Sequence, residues 1–82
     1  MTTEEIVKKL KEMLDKQLRS RVKDINLHHS LVDDLGADSI DIMEIITDSE
    51  INFGITVEDG EYEHCKTVQD VVDLIEKKLK KS

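Results

Sequence analysis

Ile6, Val7, Leu10, Met13, Leu14 and Leu18 recur at steps of three and four residues, which puts them on one face of an α-helix with Lys, Glu and Asp between them. Thr2, with Glu5 three positions later, has the spacing of a capping box, so the pattern predicts a first helix over residues 3–18. A long connection follows, residues 19–37, in which Leu27, Leu31 and Leu35 are spaced to plug apolar gaps and Gly36 allows a turn. A connection of that length is uncommon unless it is used. A second helix begins after Asp38, whose carboxylate can accept from the orphan N–H groups of the first turn, and Ile42, Ile45, Ile46 and Phe53 supply much of its buried side.

Glu58 to His64 reads as one or two turns of a short third helix. Thr67 then caps a fourth, whose inner face carries Val68, Val71, Val72, Ile75 and Leu79. Lys77, Lys78, Lys80 and Lys81 suit the negative end of that last helix. There is no internal repeat, low-complexity tract, β-hairpin signal or proline. The expected fold is therefore all-α: a compact bundle of three main helices plus one short helix, in a single domain over residues 1–82.

The length of 82 residues leaves little room for a deep catalytic cavity. The single Cys65 has no internal disulfide partner. With no secretory signal and no run of about 18 apolar residues, the expectation is a soluble, cytoplasmic protein with no membrane span.

Charge divides the chain. Residues 1–29 carry +2, residues 30–65 carry −11 and residues 66–82 carry +2, with no Lys or Arg between Lys23 and Lys66. Nucleic-acid binding, which relies on Lys and Arg clusters, is not expected. The acidic middle points instead to protein partners with basic faces, and screening over roughly 8 Å makes that charge act on encounter and orientation more than on final affinity.

In the middle of this acidic stretch stands Asp34-Leu35-Gly36-Ala37-Asp38-Ser39-Ile40, which places a serine just inside the start of the second helix. A primary hydroxyl at an exposed helix N-terminus is open to esterification, and the positive end of the helix favours a phosphate there. From Asp-Ser-Ile alone, Ser39 reads as an ordinary cap or first-turn residue. A hydrolase reading has little support: Gly36-Ala37-Asp38-Ser39-Ile40 lacks the second glycine of a nucleophile elbow, and no histidine obviously returns to the serine. His28, His29, His64 and Cys65 lack zinc-site spacing. Asp33, Asp34, Asp38 and Asp41 offer at most weak attraction for a divalent cation and do not match an EF-hand loop.

The run from Asp34 to Asp41, followed by Glu44, Glu50 and Phe53 and later by Lys66-Thr67-Val68-Gln69-Asp70-Val71-Val72, resembles the acyl carrier proteins of fatty acid and polyketide synthesis, without a gap from about Leu31 to Ile75. The resemblance implies a non-catalytic carrier. Ser39 would be joined to 4′-phosphopantetheine by a phosphopantetheinyl transferase using coenzyme A and a divalent metal, and the terminal thiol would hold acyl groups as thioesters. It further implies that a monomer meets acyl-processing enzymes with basic docking surfaces through Asp38, Ile40, Asp41, Met43, Glu44 and Glu50. It also implies a cargo pocket that includes Ile46, Ser49 and Tyr62. Met43 has a second reading as core, although Ile42, Ile45 and Ile46 already fill the inner stripe, and Asp48, Glu61 and Glu63 read at least as well as a solvated face.

The chain departs from the family pattern at several positions. Ile40 stands where carriers of fatty acid synthesis usually have leucine, Ile51-Asn52 where two glutamates usually precede the phenylalanine, and Glu58 where a proline is usual. Ser49 and Thr47 replace apolar residues and Tyr62 a small one. These changes lead to the expectation of a smaller, more polar pocket for short or polar cargo, with the Tyr62 hydroxyl bonded to a partner such as Ser49; equally, Tyr62 simply covers the bundle surface. Two functional classes remain open: a phosphopantetheine carrier, with peptidyl and D-alanyl carriers as variants, and a small acidic protein–protein interaction module without a prosthetic group.

Overall fold

The computed structural model describes residues 2–18 and 24–81. Four helices follow in order: α1 (Thr3–Gln17), α2 (Ser39–Phe53), α3 (Asp59–Tyr62) and α4 (Val68–Lys81), with no strand among the described residues. The architecture matches the all-α expectation of three main helices and one short one. Residues 19–23 of the expected connection lie outside the described residues.

The long helices start where a side chain accepts from a first-turn amide. Thr2 accepts from the Glu5 N–H at 3.2 Å at the start of α1, and Thr67 accepts from the Asp70 N–H at 3.2 Å at the start of α4. At α3 the Glu61 carboxylate accepts from the Glu58 N–H at 3.1 Å. The end of α2 is set by Gly54, which takes the left-handed conformation at φ 65° while its N–H reaches the Glu50 carbonyl.

The apolar face of each long helix meets the others. Ile6, Leu10, Leu14 and Leu18, Ile45 and Phe53, and Val68, Val71, Val72 and Ile75 form one buried cluster, to which the connection adds Leu31, Leu35 and Ala37. Leu27 packs half-buried against it. Ile46 is buried but stands apart from the cluster. α1 packs on both α2 and α4. The short α3 is fastened by a Lys78–Glu61 ion pair of 2.5 Å and by the Tyr62 ring against the core.

The connection before α2 is anchored rather than free. Its Leu27 and His29 carbonyls accept from the Gln69 and Val68 N–H groups at 2.8 and 3.1 Å, satisfying orphan donors of the α4 N-terminus. The Leu31 N–H donates to the Lys66 carbonyl at 2.9 Å, alongside a single antiparallel bridge between Ser30 and Thr67. Within the turn, the Asp34 carboxylate accepts from the Ser30 N–H at 2.6 Å, and Gly36 at φ 70° lets the chain double back so that the Ala37 N–H reaches the Leu31 carbonyl. The first residue of α2 is thereby fixed relative to the core.

Candidate functional site

Ser39 is the first residue of α2 and is exposed. Asp38, in extended conformation, is its N-cap. The Asp38 Oδ1 accepts from the Asp41 N–H at 2.8 Å, and the Asp41 Oδ2 accepts from the Asp38 N–H at 3.2 Å. The sequence predicts the cap at Asp38 and marks Asp41 as a recognition residue, not as part of the cap. The reciprocal bond is a second duty for Asp41, legible in the three-residue spacing of the two carboxylates.

The consequence is local order around a free hydroxyl. The Ile42 N–H is taken by the Asp38 carbonyl, so among the described residues the N–H groups of Ser39 and Ile40 are the donors left over at this helix end. The Ser39 side chain likewise has no hydrogen-bond partner among the described residues.

Around Ser39 the surface is apolar and acidic. Ile40 is 61% exposed and Met43 52%, which assigns Met43 to the surface and not to the core. Asp38 and Glu44 are exposed, while Asp41 and Glu50 are half-buried. Two of the expected docking carboxylates also hold the fold. Glu44 accepts a hydrogen bond from the Gln17 side chain, across an open groove of about 590 Å³ between α1 and α2 lined by Lys9, Lys16 and Asp48 among others. Glu50 accepts from the Val57 N–H at 3.1 Å and so ties the chain after α2 back onto the helix.

The expected pocket residues are placed differently from the reading. Ile46 and Ser49 are both buried, one turn apart on α2. The Ser49 hydroxyl donates to the Ile45 carbonyl at 2.8 Å within its own helix. No Ser49–Tyr62 bond forms among the described residues, and Tyr62 packs half-buried on the core. The back-bond explains the difference: a serine inside a helix finds the carbonyl four residues earlier at no cost in chain folding. The polarity of Ser49 and of Thr47, whose hydroxyl donates to the Met43 carbonyl at 2.9 Å, is therefore absorbed by α2 itself.

Other titratable groups serve the frame. Glu61, read as a solvated residue, is held below the ordinary carboxylate value chiefly by its hydrogen bond from Lys78 and then by the Glu58 N–H. The Asp70 carboxyl is lowered by the N–H groups of Lys66 and Thr67, at 2.9 and 3.0 Å. Burial, followed by the nearby Asp70 and Asp73, pushes the Cys65 thiol up to about 11. Among the described residues no group of three His, Cys, Asp or Glu side chains is arranged to hold a metal ion. No helix there is long and apolar enough to cross a membrane.

This geometry meets its counterpart in known proteins. The family model for the phosphopantetheine attachment site matches residues 8–75. The chain is 45% identical over 76 residues to the acyl carrier protein of Exiguobacterium sibiricum, covering 93% of this chain and 96% of that one. It is 38% identical over 79 residues to the acyl carrier protein of Petrotoga mobilis, covering 96% and 93%. In fold it superposes on the crystal structure of an acyl carrier protein from Thermotoga maritima with a TM-score of 0.85, at 24% identity and covering 96% of this chain and 92% of that one.

A small helical domain with an exposed serine at a capped helix start, matched by a phosphopantetheine-site model over most of its length, is a carrier domain and not a catalyst. The chain belongs to the acyl carrier protein family. The prosthetic group of that family, covalent 4′-phosphopantetheine, fits the residues present. An exposed hydroxyl is available for a phosphodiester, and beside it, at the positive end of α2, stand two N–H groups with no protein partner among the described residues.

Proposed function

We propose that Ser39 Oγ is the attachment point of 4′-phosphopantetheine and that the chain carries acyl intermediates of fatty acid, polyketide or related specialised synthesis as thioesters on that arm. The observation that supports the reading most directly is the exposed Ser39 hydroxyl, without a hydrogen-bond partner among the described residues, beside the reciprocal Asp38–Asp41 cap. The bound group would supply a thiol for thioester exchange. The chain's own residues do the rest. The cap holds the serine backbone in place, the N–H groups of Ser39 and Ile40 would favour the negative charge of a phosphodiester, and the anchored connection keeps the site fixed to the core.

A phosphopantetheinyl transferase drawing on coenzyme A is the modifying enzyme in this reading. Asp38, Asp41, Glu44 and Glu50, with Ile40 and Met43 between them, are the surface it and the acyl-processing enzymes meet. The charge pattern supports basic partner faces, since residues 30–65 carry eleven acidic and no basic side chains. In this reading a tethered acyl chain would meet Ile46 and Ser49, which are buried, and Tyr62, which packs half-buried on the core. Incubation with a fluorescent coenzyme A analogue, magnesium and a transferase tests the assignment: the wild-type band takes up label and Ser39→Ala does not. A labelled Ser39→Ala band, or an unlabelled wild type with native circular dichroism, contradicts it.

A further inference from the structure

The connection that leads to Ser39 meets the start of α4 through one turn, and a histidine closes that turn. Across residues 26–29 the His29 N–H donates to the Asn26 carbonyl at 3.1 Å, and the Asn26 N–H donates back to the His29 Nδ1, also at 3.1 Å. From the same turn the Leu27 and His29 carbonyls accept the Gln69 and Val68 N–H groups. Thr67 takes the Asp70 N–H. Two of the orphan donors of α4 therefore depend on the turn, which makes the connection one half of that helix's cap.

A ring nitrogen that accepts an N–H carries no proton, so the geometry fixes His29 as the neutral imidazole with its proton on Nε2. Protonation undoes the arrangement in three ways. It fills the lone pair that holds the Asn26 N–H. It sets a positive charge at the positive end of α4, whose Val68 N–H is bonded to the His29 carbonyl. It also sets that charge beside the His28 ring, whose centroid is 5.0 Å away, and imidazoles gain their protons over one common pH range.

The charged side chains on the two elements that meet here are Asp24, Asp33 and Asp34 in the connection and Lys66, Asp70 and Asp73 at the start of α4. Asp34 and Asp70 accept from backbone N–H groups, and Asp73 accepts from the Gln69 amide. Among the described residues no carboxylate is paired with His29. An imidazolium at this position gains no ion pair there to replace the bond it loses.

We infer that residues 26–29 form a proton-operated clasp. With His29 neutral the clasp is closed and fastens the connection to α4; protonation of His29 opens it. The stability it gives is present above the range where an imidazole titrates, about 6.5, and is lost as pH falls through that range. The Asp70 carboxyl, held below its ordinary value, stays ionised throughout and keeps its own part of the α4 start in place. The Asp38–Asp41 cap contains no imidazole and stays closed. The clasp works whether or not Ser39 carries a group.

The test uses the full-length, unmodified chain at pH 7.5 and pH 5.5. In wild type, amide hydrogen exchange followed by NMR and corrected for intrinsic rates should show protection at Val68 and Gln69 falling about fivefold at the lower pH, while Val71 and Val72 keep theirs. His29→Ala should melt about 4 °C below wild type at pH 7.5, and the gap should vanish at pH 5.5. His64→Ala, at an exposed position outside the turn, should show no gap that changes with pH. Unchanged protection at Val68 and Gln69 would overturn the inference, as would an equal loss along the whole of α4, which marks general loosening by acid. A His29→Ala gap of the same size at both pH values, or one that His64→Ala reproduces, would overturn it too. Should His29→Ala not fold, the wild-type exchange measurement decides alone.

Discussion

Asp38 and Asp41 exchange hydrogen bonds across the first turn of α2, each carboxylate accepting the other's backbone N–H at 2.8 and 3.2 Å. The pair encloses Ser39 and Ile40, so the site's order depends on two side chains that also carry its negative charge. Asp38→Ala should lower stability by about 1 kcal/mol. For a domain of this size that is a drop of about 4–8 °C in melting temperature. Asp38→Asn, which keeps an acceptor at the cap, should recover most of the loss. Thermal denaturation followed by circular dichroism checks both.

Gly54 closes α2 at φ 65°, with open space where a Cβ would stand. Gly54→Ala therefore meets no neighbour and costs only the left-handed backbone, about 1 kcal/mol, while Gly54→Asn costs less. Urea titration of the three proteins should rank them glycine, asparagine, alanine. A Gly54→Ala protein as stable as wild type would show that the cap contributes nothing.

Asp70 and Glu61 predict the acid limb of stability. Both carboxyls are lowered in the folded chain from ordinary values of 3.8 and 4.5. A lowered folded pKa gives stability that is present above the unfolded value and lost as pH falls through the folded one. Asp70→Asn should thus be less stable than wild type at pH 7, and the gap should close as pH falls below 3.8. Melting curves at pH 7 and pH 3 measure it; a gap that stays constant with pH would contradict the assignment.

Cys65 is buried, with its thiol pushed up to about 11. At pH 8 only about a thousandth of it is thiolate, and a thiol reagent must also wait for the fold to open. Ellman's reagent should react slowly with the folded, unmodified chain and rapidly in guanidinium. A carrier loaded with phosphopantetheine should show one fast thiol under native conditions, and Ser39→Ala none.

The helices were legible because their signals are local. Ile6 to Leu18, Ile42 to Phe53 and Val68 to Leu79 repeat at helical spacing, and Thr2, Asp38 and Thr67 mark starts that hydrogen bonds then satisfy. Gly36 announced its turn for the same reason. What the sequence concealed is long-range or competitive. The pairings Gln17 with Glu44 and Glu61 with Lys78 join elements whose relative placement exists only after packing. The anchoring of Leu27 and His29 to α4 is of the same kind. Of the two readings of Tyr62, the structure shows the one in which it packs on the bundle: the Ser49 hydroxyl donates to a carbonyl of its own helix, always within reach, whereas a bond to Tyr62 needs a partner brought from α3. Ser39 itself was legible through its neighbours and not through its own residue type.

The most direct measurement is tandem mass spectrometry of the chain after reaction with coenzyme A, magnesium and a transferase. The account predicts one added phosphopantetheine group, located on the peptide containing Ser39 and ejected from that residue on fragmentation, with Ser20, Ser30, Ser49 and Ser82 unmodified. A group mapped to any other residue, or a correctly folded chain that no transferase modifies, would contradict it.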